Sequence, residues 1–547
     1  MNKYFATNPR IKISRTKFDL SSTHKTTFNA GYLVPIKIYE NVPGDTISVS
    51  MNSVIEMTTP LKPTMDLAVC NVYAFKVPMR LLWEHWQEMF GENDDTYWAQ
   101  PVEYTIPKLT APTGGWSKDS IMSHMGVRMN TEGLSVSALP ARAVAKIYND
   151  WFRDQNVMTP YLEAKDDSNR EGSNGDGKND LVAGGKCPRI AKFHDIFTTA
   201  LPGPIKSTED VLLPLGEFAP VGTRTNVSPQ LTNNTMLTWR MSNGESLTSG
   251  TSYNITIGAN DYTPTQARTD VDLGTYSADI QPKNLWADLS QATGATMQDF
   301  LYAYSLYKMF TIDARGGTRY TEILANHYGV ISSDARLQRS EYLGGTNFEI
   351  NMVHVPQTSQ TTEESAQGYL TAYSNTAIRN KHLFTTSYDE HCYTILFAAI
   401  RTKQTYAQGI EKMWFHEERT DFYMPTFAHI GEQPIRNREL FAQGTDEDAQ
   451  TFGFGEAFYE YRTQVDLVTG EFSPDAENSL PSYTYTNDFE SLPTLSEEFI
   501  LETEDNVNRT IAVNSSLQDQ FKADFYFNVT AVRPLPPRSI PSLASHF

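Results

Sequence analysis

Two arginines that flank a pair of glycines, in the stretch DARGGTRY at residues 313–320, are the side chains of this sequence best placed to do chemistry. Glycine permits a positive-φ turn and a close backbone approach, and Arg315 and Arg319 can grip a phosphate or a carboxylate. A nucleoside triphosphate loop would need a Lys-Ser/Thr pair after the glycines and a strand before them, and neither is present. Three interpretations remain: the arginines contact their own chain, a neighbouring subunit, or DNA phosphate.

Familiar catalytic patterns are missing from the rest of the sequence. It has no G-x-S-x-G elbow and no H-E-x-x-H helix. Adjacent acids occur at Asp389–Glu390, Glu417–Glu418 and Glu497–Glu498. Neighbours on a strand point to opposite faces, whereas a glycosidase needs two carboxyls that converge across a cleft. The eleven histidines are scattered singly. The sequence therefore predicts no enzyme, no catalytic residue, no metal site and no cofactor.

The charge is unevenly distributed along the chain. The 547 residues carry a net charge of −20. A protein whose whole surface binds DNA phosphate would be basic, so this class is excluded. Residues 1–18 nevertheless contain five basic side chains and no acid, namely Lys3, Arg10, Lys12, Arg15 and Lys17. Residues 1–27 are therefore interpreted as a basic N-terminal arm, either an interaction tail for nucleic acid or a solvated terminus.

Cysteine usage and hydropathy indicate the compartment. Cys70, Cys187 and Cys392 are far apart, which gives neither a disulfide framework nor a zinc spacing. No apolar segment reaches the ~18 residues of a membrane span, and the N-terminus lacks an apolar signal core. We therefore expect assembly in a reducing cytoplasm and no membrane insertion.

Strand patterns occur towards both ends of the chain, and these strands are expected to position the candidate residues. Residues 45–57 alternate apolar and polar side chains, as do residues 524–534, which indicates half-buried strands. Residues 391–400 are continuously apolar, as in a strand buried on both faces. Strands are also predicted at 31–39 and 69–77. Distant strands that close one sheet favour an antiparallel barrel or sandwich.

Helices and polar loops lie between these strands. Apolar spacing predicts helices at 79–90 and 139–153, and a helix-like aromatic run covers 297–310. Core packing is expected for the tryptophans Trp83, Trp86, Trp151 and Trp286. Residues 160–187 are polar and Gly-rich, and residues 217–284 are long, Thr/Asn-rich and poor in charge, so both are predicted to be surface insertions.

Several long stretches together resemble the major capsid proteins of microviruses, most closely the gokushovirus branch of small single-stranded DNA bacteriophages. They lie in order along almost the whole chain. They include FNAGYLVPIKIYENVPGDTISVS (28–50), VPMRLLWEHWQEMFGE (77–92), LPARAVAKIYNDWFRDQN (139–156), ARGGTRYTEILANHYGVISSDARLQRSEYLGG (314–345), RTKQTYAQGIEKMW (401–414) and DFYMPTFAHIGEQ (421–433).

The resemblance implies a mainly β fold, an eight-stranded antiparallel jelly roll over residues 28–547 with long inserted loops. It further implies a virion protein whose sixty copies form a T=1 icosahedral shell around circular single-stranded DNA. A small basic DNA-binding protein, a minor virion protein and a bacterial surface receptor are the expected partners. By the same resemblance, residues 217–284 form threefold protrusions for host attachment.

Residues that contact DNA or line the inner face are expected among the basic side chains Lys3, Arg10, Lys12, Arg15, Lys17, Arg315 and Arg319. Gly316–Gly317 is predicted to be a tight turn between two helical segments. Two other classes of protein remain as alternatives: a phage spike or receptor-binding protein, and a jelly-roll protein that binds or cleaves carbohydrate.

Overall fold

The computed structural model describes residues 14–92, 104–207, 221–223, 239–241, 280–282, 285–287, 297–316, 326–328, 338–356, 358, 361, 368 and 370–538. The chain divides into two compact units, one formed by residues 1–204 and 313–547 and the other by residues 205–312. The sheets that position the candidate sites belong to the first unit.

The elements are predominantly strands. They are β1 (Thr16–Asp19), β2 (Ser22–Phe28), β3 (Val34–Asn41), β4 (Thr46–Met57), β5 (Ala68–Pro78), β6 (Lys108–Thr110), β7 (Ser135–Ser137), β8 (Arg170–Glu171), β9 (Val221–Thr223), β10 (Trp239–Met241), β11 (Ile280–Pro282), β12 (Leu285–Ala287), β13 (Glu341–Glu349), β14 (Met352–Pro356), β15 (Leu370–Ser374), β16 (Thr376–Ser387), β17 (Cys392–Thr402), β18 (Glu432–Arg436), β19 (Thr451–Glu456) and β20 (Phe521–Arg533). The α-helices are α1 (Trp86–Met89), α2 (Ile121–His124), α3 (Leu139–Ile147), α4 (Met297–Gly316), α5 (Asn437–Leu440), α6 (Glu497–Ile500) and α7 (Asp505–Asn508).

Two antiparallel sheets form the centre of the first unit. The first sheet has the order β1-β20-β4-β16, with β2 also paired to β20, and the second has the order β13-β5-β17-β3. The chain passes repeatedly from one sheet to the other, and the terminal strands meet through the β1–β20 and β2–β20 pairs. The mainly β, antiparallel class predicted from the sequence is confirmed. The count of eight strands in a jelly roll stays a prediction.

Side-chain alternation explains the first sheet. On β4, Ile47, Val49 and Met51 are buried, while Ser48 and Ser50 on the other face are partly exposed. β20 pairs with β4 in register and alternates in the same way. The inward side chains of both sheets belong to one hydrophobic cluster. The strands predicted at 45–57 and 524–534 are confirmed.

The second sheet is buried differently, because other elements cover its outer face. β17 is buried at every position except Arg401, which confirms the prediction for residues 391–400. α3 continues into a π-helical turn at Tyr148–Phe152, and the Phe152 ring lies 5.5 Å from Phe75 of β5 and 6.4 Å from Phe397 of β17. The predicted helix at 139–153 is thus present, with a wider last turn.

The continuous helix predicted at 79–90 is wrong. A 3-10 turn at Met79–Leu81 and the four-residue α1 stand in its place. The backbone N–H of Glu84 donates to the Lys165 carbonyl at 3.1 Å, and the indole N–H of Trp83 donates to Asp167 at 2.5 Å. The Glu84 bond to a distant segment takes the place of a backbone bond within a helix, and the Trp83 side chain anchors the same region to that segment.

The predicted insertions differ in what the structure describes. Residues 160–187 are mostly irregular, but Leu181–Ala183 form a buried 3-10 turn. Most of residues 217–284 lie outside the described residues, apart from the short strands β9, β10 and β11. The aromatic run at 297–310 is helical and lies in α4, which continues to Gly316. Gly317 lies outside the described residues, so the predicted turn stays a prediction.

Candidate genome-contact and assembly surfaces

The outer face of the first sheet is an open polar surface. Hydroxyl groups of neighbouring strands bond to one another across it: Thr46 to Ser387 at 2.9 Å, and Thr385 to Ser48 at 2.9 Å. Cations occur towards the β1 and β2 edge, where Lys25 lies 3.7 Å from Asp524 and remains 78% exposed. So exposed a pair adds little stability. The face can therefore donate and accept hydrogen bonds without a strong field of either sign.

The described part of the basic arm lies at this same edge. Arg15 and Lys17 are exposed, and Lys17 stands opposite Val532 in the β1–β20 pair. Residues 16–19 and 22–28 are strands of the first sheet. The other arm candidates, Lys3, Arg10 and Lys12, lie outside the described residues.

Two histidines hold the N-terminal strand β2 to its surroundings. His24 Nδ1 lies 2.5 Å from the Ile36 carbonyl, and His124 Nδ1 of α2 lies 3.0 Å from Thr26 Oγ1. Burial lowers the pKa of His24 and lowers the pKa of His124 to about 4, with the charge of His24 as a second cause for His124. Both imidazoles are therefore neutral in the folded chain at neutral pH.

Arg315 has a partner within its own chain. It lies in the last turn of α4, and its Nε forms an ion pair with Glu432 at the start of β18. The Glu432 side chain is only 3% exposed, whereas Arg315 is 44% exposed. A carboxylate this buried needs a cation or several donors, so the contact stabilises the chain. Arg319 lies outside the described residues, and no described contact brings Arg315 to Arg15 or Lys17.

An aromatic groove of about 630 Å³ opens beside Arg315. Phe75 of β5 is its centre, with ring centroids of Trp151 at 5.6 Å, Phe152 at 5.5 Å and Tyr342 at 5.4 Å. Trp151 and Tyr342 remain 38% and 44% exposed. Core packing is confirmed for Trp83 and Trp86, which are 0% and 9% exposed, but it is wrong for Trp151. The π-helical turn directs Trp151 to the rim, where its indole N–H donates to Ser340. The Trp286 side chain lies outside the described part.

Arg401 supports the floor of this groove. Its guanidinium donates to Asn71, to the Tyr73 hydroxyl at 2.9 Å and to the Ala191 carbonyl at 3.2 Å, and it stacks 4.0 Å from the Phe193 ring centroid. Burial is the main cause that lowers the pKa of Arg401 and raises that of Tyr73. Faces of this kind can stack on planar groups, nucleobases included. Sequence reasoning missed the groove because its members come from six segments that are distant in the sequence.

Each acid pair considered as a catalytic candidate takes part in local structural contacts, two of them through a carboxylate and one through its backbone. Glu390 bonds to Arg80 at 2.7 Å, and Glu497 forms an ion pair with Lys178. The backbone N–H groups of Glu417 and Glu418 both donate to Asp421. Among the described residues, no group of three or more His, Cys, Asp or Glu is placed to hold a metal ion. No described helix has the length and apolarity to cross a membrane.

Comparison with known proteins identifies the family. Residues 6–543 match the family described as capsid protein (F protein). Three relatives named capsid protein VP1 are similar over nearly their whole length: 39% identical in Spiroplasma virus 4, covering 97% of this chain and 96% of the relative; 36% in Bdellovibrio phage phiMH2K, covering 99% and 98%; and 33% in Chlamydia phage 1, covering 99% and 98%. The relatives are capsid proteins and not enzymes, as the sequence predicted. The chain belongs to the phage F capsid protein family and is a structural capsid protein of phage virions.

Proposed function

We propose that sixty copies of this chain form a T=1 icosahedral shell that encloses circular single-stranded DNA. The observation that carries the proposal is the match over residues 6–543, which leaves almost no part of the chain outside the capsid family. A two-sheet unit whose terminal strands pair with each other is a self-contained building block for such a shell.

Sedimentation of particles from infected cells, combined with electron microscopy, tests this proposal. We expect closed icosahedral particles in which this chain is the principal protein. Free trimers or pentamers, with no closed shell containing this chain, would instead favour a spike or receptor-binding protein and contradict the proposal.

The basic arm contacts the genome or a small basic DNA-binding virion protein on the inner face. Exposed Arg15 and Lys17 support this assignment, because neither has an ion-pair partner among the described contacts. Lys3, Arg10 and Lys12 extend the same positive segment in the sequence. Arg315 and Arg319 are the remaining candidates, and Arg315 would have to share its guanidinium with Glu432.

Replacing Arg10, Lys12, Arg15 and Lys17 together by alanine tests the arm. Each lost phosphate contact reduces the salt dependence of DNA binding, with a slope of about 0.7 per contact for single strands. We expect less packaged DNA per particle and earlier release of DNA as salt is raised. Unchanged packaging and an unchanged salt profile would remove the arm from genome contact.

The insertion at 217–284 forms threefold protrusions that attach to a bacterial surface receptor. Its length, its Thr/Asn-rich composition and its low charge support an exposed role. Deleting it should leave particles that assemble but adsorb poorly to host cells. Failure of assembly would place the insertion among the shell contacts instead. A minor virion protein completes the proposed set of partners.

A further inference from the structure

We propose that the aromatic groove beside Arg315 binds an unpaired nucleotide of single-stranded DNA, with the base against its rings and the phosphate against its arginines. The proposal rests on the proposed function, since it names a site at which the enclosed genome would meet the shell protein. The groove lies apart from the basic arm. Lys17 of the arm is on β1 of the first sheet, whereas Phe75 and Tyr342 of the groove are on β5 and β13 of the second sheet.

One wall of the groove consists of aromatic rings. Five rings line it: Tyr73, Phe75, Trp151, Phe152 and Tyr342. The ring centroids of Tyr73 and Phe152 lie 5.4 Å apart, and those of Trp151 and Tyr342 lie 6.0 Å apart at the rim. Trp151 and Tyr342 are the exposed members of this wall. Bases of single strands stack on exposed rings of this kind whatever their sequence.

The charged side chains of the groove are mostly cations. Arg153, Arg315 and Arg401 line it, and Asp154 is the only acid among the described lining residues. The whole chain has the opposite balance, with 45 basic and 65 acidic side chains. Asp154 is also occupied locally, because its Oδ1 accepts from two backbone N–H groups of the turn that follows it. The groove therefore concentrates positive charge in an acidic protein, as a phosphate site requires.

The acids behind these arginines are buried and do not line the groove. Glu432, the partner of Arg315, is 3% exposed. Glu502 acts on the charge of Arg401, but it is 1% exposed and its carboxylate accepts from the Thr402 hydroxyl at 2.6 Å. An anion that enters the groove therefore meets guanidinium groups at its surface, while these two carboxylates stay behind them.

The rim of the groove is held in place before any ligand binds. The indole N–H of Trp151 donates to the Ser340 carbonyl at 3.1 Å, and the Ser340 hydroxyl donates to Asp150 at 2.7 Å. Arg339 stacks 4.1 Å from the Trp151 ring centroid and donates to the Asp150 carbonyl at 3.0 Å. A ring that is already fixed loses little conformational entropy when a base stacks on it.

The combination of rings and guanidinium groups identifies the class of ligand. A sugar or an apolar side chain would stack on the rings but would leave the arginines without an anion. Inorganic phosphate would bind the arginines and leave the rings uncovered. A nucleotide has both a planar face and a negative charge, and guanidinium groups recognise both. The volume of about 630 Å³ also lies within the range of small-ligand pockets, about 300–1,000 Å³.

Ultraviolet cross-linking of wild-type virions, followed by mass spectrometry of the digested protein, tests the proposal without any substitution. We expect nucleotide adducts on Trp151 or Tyr342 and none on Trp414, which is 71% exposed elsewhere on the first unit. DNA-free particles treated in the same way should give no adduct. Adducts confined to other parts of the chain, or adducts on Trp414 as abundant as those on Trp151, would overturn the proposal.

Oligonucleotide binding to dissociated subunits separates stacking from charge. Trp151→Ala should weaken the binding of a short oligothymidylate by about tenfold, whereas the matched control Trp414→Ala should leave it unchanged. Trp151→Phe keeps a ring and should retain most of the affinity. An abasic oligomer of the same length should bind Trp151→Ala as well as it binds the wild type, because it has no base to stack.

Two results of this binding experiment would overturn the proposal. One is full affinity of Trp151→Ala for oligothymidylate. The other is an equal loss of affinity for the abasic oligomer, which would make Trp151 a structural residue only. If the wild-type chain forms no closed particle that contains DNA, the proposed function fails. If such particles form and the groove shows neither adducts nor base-dependent binding, only this inference fails.

Discussion

The two sheets of the first unit differ in which of their faces are buried. In the first sheet, β20 turns Phe525, Phe527 and Val529 inward and leaves Asn528 and Thr530 on an open face. In the second sheet, β17 is buried on both faces because α3 and its π-helical turn cover the outer side. The second sheet is thus covered over β17 by its own chain and stays open at the aromatic groove, while the first sheet keeps a polar face free. The residues that meet DNA or another copy must lie on what the chain leaves uncovered.

Truncating neighbouring side chains on each sheet should show the difference in burial between the two sheets most clearly. On β17, Leu396→Ala and Phe397→Ala remove adjacent side chains that are both 0% exposed. Each should lower the free energy of unfolding by about 2–5 kcal/mol. On β20, Phe527→Ala should cost about 3–5 kcal/mol, whereas the adjacent Asn528→Ala should change stability by less than about 0.5 kcal/mol.

Denaturant unfolding of the isolated subunit measures this contrast. Two results would contradict the difference between the sheets. One is a loss of unfolding free energy in Asn528→Ala as large as that in Phe527→Ala, and the other is a destabilising effect of only one of the two β17 substitutions. An unchanged slope against denaturant would confirm that the unfolding reaction itself is the same in all four variants.

The contact between β2 and α2 should depend on pH. The folded pKa of His124 is about 4, below the ordinary value of 6.5, so the unfolded chain binds more protons between these pH values. The stabilising contribution is complete above pH 6.5 and is lost as the pH falls towards 4, by about 2–3 kcal/mol. The neighbouring titratable groups are Asp119, Asp519, Lys118 and His24, and they remain in the variant below.

His124→Gln removes this titration and keeps a polar group opposite Thr26. The difference in unfolding free energy between pH 7 and pH 4 should be smaller in the variant than in the wild type by about 2–3 kcal/mol. His382, exposed on β16, supplies the control as His382→Gln. Identical pH profiles for the wild type and His124→Gln would show that His124 is not buried as described.

The ion pair of Arg315 should have a smaller effect. Arg315→Met leaves the Glu432 carboxylate, which is 3% exposed, without its cation, and this should cost about 1–2 kcal/mol of unfolding free energy. Adding Glu432→Gln should restore most of that loss, since the amide needs no counter-ion. No recovery in the double variant would mean that Arg315 acts through some other contact.

The smallest effect on stability is expected for the basic edge of the first sheet. Arg15→Ala and Lys17→Ala remove exposed side chains, so each should change the unfolding free energy by less than about 0.5 kcal/mol. Their effect should appear in DNA retention by particles at raised salt. A large loss of stability without a change in DNA retention would make these residues structural.

Local patterns in the sequence predicted much of the fold. The alternation at 45–57 and the apolar run at 391–400 correspond to β4 and β17, because the period of side chains on a strand follows directly from which faces are buried. The helix expected at 79–90 failed because Glu84 bonds to the carbonyl of Lys165, about eighty residues away. Local spacing contains no information about such a bond.

The candidate sites were less predictable for the same reason. Arg315 was recognised as a residue that grips an anion, but its partner Glu432 is 117 residues distant and belongs to a different element. The aromatic groove joins β5, the π-helical turn, β13 and β17. Local sequence does not reveal these contacts, and Trp151 was therefore predicted to lie in the core. Residue type indicated the chemistry, whereas tertiary contacts decide which groups meet.

The mass of the empty particle tests the central claim most directly. In the proposed shell, sixty chains of 61.6 kDa would have a mass of about 3.7 MDa before any minor protein is added. Mass measurement of DNA-free particles, combined with an icosahedral reconstruction, should give this value and one copy of the chain in each of the sixty equivalent positions. A stable assembly with the mass of a trimer or pentamer, or a shell with a different number of copies, would contradict it.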